Sequence, residues 1–359
     1  MIRLYLPGIF CILILIDIVK TKDEQMELVQ VLFRHGDRFP DEKEIPPIYE
    51  SSFNSEEKMR YGQLTVAGML RMYKFGKMLR NRYINFIDDN DVDKIYSYST
   101  NRDRTRASLH MTLAGLFPNT NATSSKGDMR WLQIPINYDV DESNFLTSIY
   151  SSKHKCGRKL WRQFRDAQNS TEIQAKMRSY QSFWEDLKKK IGQLPGRPLC
   201  NYLVSLESMG RKLPDWCSRE DYQKIKDVAE IRDEGLTFTN WSKRMTAGTF
   251  LEKFLENIQH NDRERKKMYL YSAHDLQITC LSRALQFGNV PLSPEYGSAL
   301  IIEKYRKQDN ELIRMFMWLG VTKKMVPVKL KNCNHECPLK TFTSQVDTLF
   351  PTEEDKKCE

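Results

Sequence analysis

The sequence contains no hydrophobic run long enough for an ordinary membrane-spanning helix. Its longest apolar stretch covers residues 4–16 and is followed by Asp17, whereas a span needs about 20 apolar residues. Arg3 precedes the stretch and polar residues follow it, a pattern typical of a signal peptide. We therefore predict that residues 1–22 are a signal peptide, with an uncleaved membrane anchor as the alternative.

Long blocks of like charge are also missing, although the 359-residue chain carries a formal net charge of +9. The basic residues occur in short clusters, such as residues 188–190 and 263–267, and no basic segment has interleaved aromatic residues. Nucleic acid is therefore not a predicted partner. A mild positive charge is better suited to anionic substrates.

Histidine is scarce, with six in the chain, and two of the six follow an apolar run. The first run covers residues 28–33 and is typical of a buried strand. It ends in the segment Arg34-His35-Gly36-Asp37-Arg38, where the glycine permits a sharp turn because it has no Cβ. One imidazole and two guanidinium groups are thus brought into a small volume, an arrangement that favours an oxyanion and above all phosphate.

Two further strand-like runs end in residues that carry chemistry. Residues 94–99 lead into Asp103-Arg104-Thr105, at the start of a predicted helix. Residues 267–272 lead into His274 and Asp275, and a second helical pattern follows. Because ligands bind at the carboxyl ends of the strands in open α/β sheets, we expect the three segments to meet in one pocket. An anion bound there also gains from the free amides of a helix N-terminus.

These segments resemble the signature motifs of the histidine acid phosphatases, a family that includes lysosomal and prostatic acid phosphatases and, more distantly, phytases. The resemblance implies that His35 is the nucleophile and that Asp275 donates a proton to the leaving group. It also implies that the phosphate is bound by Arg34, Arg38, Arg104 and His274. One departure is visible, because Leu276-Gln277 follows Asp275 where the family usually has threonine.

The resemblance implies an acid phosphatase that hydrolyses phosphate monoesters of small molecules or proteins at acidic pH through a phosphohistidine. Three fixed cations would neutralise the phosphate, so we expect no metal and no other cofactor. Phytase-like specificity is one alternative, and a secreted, non-catalytic phosphate-binding or interaction protein of the same fold is another. We expect a secreted protein without a membrane span after signal removal, with the lysosomal lumen as the alternative location, and it could form a homodimer.

The order of elements predicts an α/β fold, with a mostly parallel sheet flanked by helices and a smaller inserted helical cap. Residues 23–115 and 245–330 form the predicted core, residues 116–244 the cap and residues 331–359 a disulfide-tied tail. Residues 66–83 carry a helical stripe that includes Val66, Met69 and Leu70. Gly68 and Gly76 suggest that this helix lies close to the sheet. Residues 298–305 and 312–319 are expected to form a hairpin.

Seven cysteines remain after signal removal, a number that suits an oxidising compartment. The resemblance implies the first two of the following pairs and leaves the third: Cys156–Cys358, Cys333–Cys337 and Cys200–Cys217. Cys280 would then be a buried free thiol. A zinc site that includes His335 and its two neighbouring cysteines is a rival interpretation, but it lacks a fourth ligand.

Three sequons agree with the same compartment, at Asn121, Asn169 and Asn240. Four of the aromatic residues in the predicted cap are expected to form its small core and not to contact substrate. They are Trp161, Phe164, Phe183 and Trp184.

Overall fold

The computed structural model describes residues 24–89, 91–118, 134–140, 148–192, 196–259, 266–288 and 290–359. The strands are β1 (Glu24–Arg34), β2 (Ile95–Ser99), β3 (Met268–Ala273), β4 (Ala299–Lys307), β5 (Asn310–Leu319), β6 (Lys324–Pro327) and β7 (Cys337–Pro338). The helices are α1 (Ser55–Lys58), α2 (Val66–Arg82), α3 (Asp103–Leu116), α4 (Lys155–Gln168), α5 (Thr171–Met177), α6 (Gln181–Ile191), α7 (Gly196–Ser208), α8 (Arg219–Asp233), α9 (Asn240–Lys243), α10 (Thr249–Gln259), α11 (Asp275–Ala284), α12 (Leu339–Asp347) and α13 (Glu353–Lys357). The predicted signal peptide, residues 1–22, lies outside the described residues.

The strands form one seven-stranded sheet in the order β2-β3-β1-β4-β5-β6, with β7 paired to β5. β2, β3 and β1 run parallel to one another, and the remaining pairings are antiparallel. The α/β class with flanking helices is confirmed, as is the predicted hairpin, now β4 and β5. The sheet is mixed, however, where a mostly parallel one was predicted. Short turns join β4 to β5 and β5 to β6, and such turns connect antiparallel strands only.

Both faces of β1 are buried, which explains why its sequence is apolar at consecutive positions. Leu28 and Leu32 pack on one side of the sheet in a cluster that includes Phe254 of α10. Val31 and Phe33 belong to the opposite cluster, which α2 and α3 help to form. The loop that follows β1 therefore starts from a rigid, fully packed strand.

α2 packs through a different face from the one predicted. The prediction was wrong for its first two turns, since Val66, Met69 and Leu70 are exposed. The buried face instead includes the two glycines, because their missing Cβ atoms let the helix approach neighbouring backbone closely. Gly68 lies against the backbone of Asp37, and Gly76 lies against the backbone of α3. The close approach was predicted, but its partners are the loop after β1 and α3, not the sheet.

From residue 148 to residue 233, the described residues form helices α4 to α8 with short 3-10 turns and contain no strand. The apolar core of this region includes Leu203 and Ile225, and Phe183 and Trp184 pack against it as predicted. This helical character agrees with a cap. That residues 116–244 form a separate domain stays a prediction.

Two of the three predicted disulfides are present. Cys156 bonds to Cys358 with a Cα–Cα distance of 4.9 Å, and Cys333 bonds to Cys337 with 5.1 Å. The zinc interpretation is therefore wrong, because its two thiolates are used in a disulfide.

The predicted third pair, Cys200–Cys217, is wrong, since both residues are buried free thiols. Cys200 lies on α7, whereas Cys217 lies in the loop that precedes α8. The Sγ of Cys217 donates a hydrogen bond to the carbonyl oxygen of Ser218 at 3.7 Å. Both are accommodated in the same apolar cluster without a bond. Cys280 is a buried free thiol, as predicted.

Asn169 and Asn240 are exposed, at the end of α4 and the start of α9, and Asn121 lies outside the described residues. Glycosylation of all three stays a prediction. Among the described residues, no helix has the length and apolarity needed to cross a membrane.

Candidate active site

The three predicted segments meet at the carboxyl ends of the parallel strands. The amide of His35 donates to the carbonyl oxygen of Ala273 at 3.1 Å, and the amide of Thr100 donates to that of Ser272 at 3.1 Å. The chain therefore leaves β1, β2 and β3 at the same edge of the sheet. A cavity of about 480 Å³ opens there and is lined by all six residues of the predicted site, Arg34, His35, Arg38, Arg104, His274 and Asp275.

The imidazole of His35 is held in one tautomer. Its Nδ1 lies 2.9 Å from the carbonyl oxygen of Gly36. Because a carbonyl can only accept, Nδ1 carries the hydrogen and Nε2 carries the lone pair. Nε2 accepts a hydrogen bond from Nε of Arg104 at 3.2 Å. Burial, and then the charge of Arg104, hold the pKa of His35 well below its ordinary value, so the neutral ring is favoured.

Arg34 is fixed by three contacts beside His35. Its Nη1 donates to the carbonyl oxygen of Pro294 at 2.7 Å, and its guanidinium lies 4.2 Å from the centre of the Tyr296 ring. Its Nη2 lies 3.3 Å from Oδ2 of Asp275. The guanidinium plane is thus set before any anion arrives.

Arg38 is oriented by a buried carboxylate. Its Nη1 and Nη2 donate to Oε2 and Oε1 of Glu44 at 2.8 and 2.7 Å. Glu44 also accepts from the amide of Asp41 at 2.8 Å and from Nδ2 of Asn201 at 2.9 Å. Because Asn201 belongs to α7, this network joins the loop after β1 to the helical region.

Arg104 is the second residue of α3, so its side chain lies at a helix N-terminus, where an anion is favoured. Its Nη1 lies 3.9 Å from Oδ1 of Asp41. α3 is also tied to the loop after β1, since the amide of Gly36 donates to Oγ of Ser108 at 3.1 Å.

His274 and Asp275 lie at the start of α11. Nε2 of His274 lies 3.1 Å from Oγ1 of Thr100, and the amide of His274 donates to Oε1 of Gln277 at 3.2 Å. Oδ1 of Asp275 accepts from the amide of Leu276 at 3.0 Å. The backbone amide of Leu276, which threonine would also supply, and the side chain of Gln277 therefore support this corner of the site.

Asp275 and His274 titrate against strong positive charge. Burial alone would raise the pKa of Asp275, but Arg34 and Arg197 outweigh burial and hold that pKa well below its usual range. Burial, followed by Arg104, lowers the pKa of His274. These charges therefore favour a carboxylate at Asp275 and a neutral imidazole at His274.

Comparison with known proteins decides the family. The family model of the histidine phosphatase superfamily (branch 2) matches residues 25–317. The chain belongs to this superfamily. Prostatic acid phosphatase of Rattus norvegicus is 28% identical, over 97% of this chain and 93% of its own length. Venom acid phosphatase Acph-1 of Apis mellifera is 26% identical, over 93% of this chain and 88% of its own length.

Solved structures show the same fold. The phytase of Citrobacter braakii aligns with a TM-score of 0.70 and 16% identity, covering 91% of this chain and 98% of that one. The phytase of Hafnia alvei, in complex with myo-inositol hexakis sulphate, aligns with a TM-score of 0.70 and 15% identity, covering 92% and 98%. The histidine phosphatase fold thus extends over nearly the whole chain.

Three residues of this histidine phosphatase site were not predicted: Glu44, Arg197 and Asn201. Glu44 lies only six positions after Arg38, in a turn with other acidic residues, and that proximity was a usable signal. Arg197 and Asn201 lie more than 90 positions along the chain from Arg34, His35, Arg38 and Arg104, and more than 70 from His274 and Asp275. Without the tertiary fold, nothing distinguishes them from the other polar residues of the predicted cap.

The aromatic residues of α4 differ in part from the prediction. Trp161 and Phe164 pack against an apolar cluster, as expected, and their ring centres are 5.4 Å apart. They also line the active-site cavity, where no contact with substrate was expected. The reason is that these residues of α4 share the cluster with Leu276 of α11, which also lines the cavity.

Proposed function

We propose that this protein is an acid phosphatase that hydrolyses phosphate monoesters at acidic pH, with His35 as nucleophile and Asp275 as proton donor. One observation carries the proposal: the lone pair of His35 Nε2 lies in a cavity that three arginines and Asp275 also line. The named acid phosphatases among the relatives support the same reaction.

Substrate binding would replace contacts that the site residues make with one another. Arg104 donates to His35, and Arg34 faces Asp275. A phosphate group carries up to two negative charges, and its oxygens would take over these donors together with those of Arg38 and His274. The incoming anion would thereby release the two reacting side chains, His35 and Asp275.

The first chemical step forms a nitrogen–phosphorus bond. The lone pair of Nε2 attacks phosphorus, the bond to the ester oxygen breaks, and its electron pair leaves with that oxygen. The ring becomes positively charged, and its Nδ1–H, which donates to Gly36, is held against a carbonyl dipole that favours this charge.

The leaving oxygen takes its proton from Asp275. Arg34 and Arg197 hold the pKa of this carboxyl low and so favour its ionised form. A bound phosphate would offset the charge of Arg34 and so raise the pKa of Asp275, which then gains a proton at acidic pH. In the second step, water attacks the phosphohistidine, Asp275 accepts a proton from the water, and phosphate leaves.

The proposal is tested with p-nitrophenyl phosphate at pH 5 in the presence of EDTA. Turnover is expected in the wild type and is expected to be lost in His35→Ala, while the exposed-histidine control His335→Ala keeps it. In Asp275→Asn, whose second step lacks its base, an acid-labile and base-stable phosphoprotein should accumulate. Turnover by folded His35→Ala would contradict the covalent role, and loss of turnover with EDTA would contradict the metal-free reaction.

A phytase-like activity is a second candidate, supported by the fold of the structural neighbours and by further basic residues around the cavity. These are Lys43, Arg102, Arg197 and Arg232. Arg197 is already paired with Asp233, so its charge is partly neutralised and small monoesters are favoured. Phytate and p-nitrophenyl phosphate, compared by kcat/KM, separate the two candidates, and phosphate binding without turnover of either would favour the non-catalytic alternative.

For location we propose secretion, with the lysosomal lumen as the alternative. The disulfide between Cys156 and Cys358 supports an oxidising compartment. Expression of the full chain in an animal cell line, followed by activity measurement in medium and in lysosomal fractions, tests the assignment. Activity confined to the cytosol would contradict both locations.

A further inference from the structure

A second arginine faces the proposed proton donor. Nη1 of Arg197 lies 3.9 Å from Oδ2 of Asp275, the same oxygen that Arg34 approaches to 3.3 Å. The two arginines come from different parts of the molecule, because Arg34 ends β1 and Arg197 is the second residue of α7. The carboxylate is thus held between the core and the helical region.

Arg197 is itself held in place by a buried carboxylate. It forms an ion pair with Asp233, the last residue of α8, whose side chain is 5% exposed. Nε of Arg197 also donates to Oδ1 of Asp233 at 3.4 Å, and Nη1 donates to Oγ of Ser293 at 3.4 Å. A guanidinium with these contacts on several sides keeps its position when the cavity fills.

The two arginines differ in what substrate binding does to them. Arg34 belongs to the proposed phosphate site, so a bound phosphate takes a share of its charge. Arg197 is anchored on Asp233 and approaches Asp275 from α7, so its contact with the acid survives binding. We propose that Arg197 is a positioning residue that holds the Asp275 carboxyl on the leaving-group side and sets the pH range in which it carries a proton. The inference rests on the proposed function of Asp275.

Several other groups lie around the Asp275 carboxyl. The positive and basic ones are Arg34, Arg38, Arg197 and His274, and the buried neutral ones are Tyr150, Cys200 and Cys280. Burial favours the protonated acid, and Arg34 and Arg197 are the two strongest influences against it. Removal of Arg197 should therefore let Asp275 keep its proton to higher pH.

The test uses glycerol 2-phosphate, whose alkoxide leaving group requires a proton donor. In Arg197→Gln the carboxylate of Asp233 would be buried without its partner, so the main variant combines Arg197→Gln with Asp233→Asn. Because Asp275 gains its proton in the substrate complex, we expect the high-pH limb of the kcat profile of this variant to move upward by about one pH unit. Arg197→Lys keeps the charge and should restore the wild-type limb. Arg219→Gln, which removes an exposed arginine of α8, is the matched control and should not move it.

The shift should be smaller with p-nitrophenyl phosphate, because that leaving group needs less protonation. Folding of each variant is checked by its thermal unfolding midpoint. If the folded double variant keeps the wild-type limb on glycerol 2-phosphate, the role of Arg197 is refuted.

A parallel series in Asp275→Asn separates the two proposals. If Asp275→Asn turns over glycerol 2-phosphate like the wild type, then Asp275 is not the proton donor and the proposed function fails at that residue. If Asp275→Asn loses that turnover while the Arg197 variant shows no shift, only the Arg197 inference fails. Where both proposals hold, the Arg197 substitution causes no further shift in the residual activity of Asp275→Asn.

Discussion

Glu44 is a negative charge buried in a site that is built for an anion. It is 4% exposed and accepts hydrogen bonds from Arg38, Asp41 and Asn201. A carboxylate here repels phosphate, yet it also fixes both Nη atoms of Arg38 in one plane. Glu44 thus lowers the positive charge of the site but holds the Arg38 guanidinium in a fixed orientation.

Glu44→Gln keeps the shape of this side chain but removes its charge and one acceptor oxygen. We expect kcat/KM for p-nitrophenyl phosphate to fall by about 10²-fold, because a misplaced Arg38 no longer meets the phosphate oxygens. Steady-state kinetics at pH 5 measures the change. Glu42→Gln, an exposed residue of the same turn, is the control. An equal effect in both variants would show that Glu44 acts only through overall charge.

The neutrality of His35 should depend on Arg104. Burial is the largest cause of the low pKa of His35, and the charge of Arg104 is the next. Arg104→Gln removes a positive charge that disfavours the imidazolium, so the pKa of His35 should rise, although burial keeps it below the ordinary value. NMR titration of the His35 ring carbons measures this pKa directly.

Arg106→Gln is the matched control for this titration, since Arg106 lies on the same helix but stacks on Tyr138 at 5.0 Å. The low-pH limb of activity should move in the same direction as the pKa, because the nucleophile must be unprotonated. A His35 pKa that is unchanged in Arg104→Gln would mean that burial alone keeps the ring neutral.

At the scale of elements, α2 and α3 lie close enough for each to place a glycine against the backbone of the other. Gly76 of α2 faces Thr112, and Gly115 of α3 faces Tyr73. This contact positions α3, whose first turn carries Arg104, against the helix that also supports the loop after β1. Packing between two helices thus controls the distance between His35 and Arg104.

Gly76→Ala should destabilise the protein although alanine is the better helix former. The added Cβ would overlap the carbonyl oxygen of Thr112 and force the two helices apart. We expect a loss of about 1–3 kcal/mol in the free energy of unfolding, the usual cost of overpacking, measured by urea unfolding. Gly288→Ala is the control because its added Cβ meets no atom within 4 Å. Equal stability of the two variants would contradict this account of the interface.

At the scale of the whole molecule, the C-terminal segment joins the helical region to the core. Cys358 bonds to Cys156 at the start of α4, a sequence separation of 202 residues. Arg244 forms two hydrogen bonds to Asp355, and Trp241 donates to the carbonyl oxygen of the same residue. The tail predicted from residue 331 onward is therefore anchored at two places: by a disulfide at the start of α4, and by hydrogen bonds to Trp241 and Arg244.

Replacement of both Cys156 and Cys358 by serine should lower the free energy of unfolding by about 2–4 kcal/mol, because the unfolded chain regains the entropy of a very long loop. The matched control replaces Cys333 and Cys337, whose sequence separation is 4 residues, and should cost less. Urea unfolding of both double variants under the same conditions gives the comparison. A larger loss in the short-loop variant would contradict the entropic argument.

The sequence was sufficient wherever the information is local. An apolar run ending in Arg34-His35-Gly36 predicts a buried strand with reactive side chains at its end, and the α/β class and superfamily predicted from such motifs are confirmed. The structure also brings all six predicted site residues to one cavity. Their chemical roles stay predictions until the variants are measured.

Only the tertiary structure decided the features that depend on contacts between distant segments. It showed that Glu44 and Asn201 orient Arg38, that Arg197 reaches Asp275, and that Cys200 and Cys217 remain free. It also showed that the face predicted to be buried in the first turns of α2 is exposed. A strand end or a helix cap is set by neighbours in the chain, whereas the partner of a buried charge is set by which surfaces pack together.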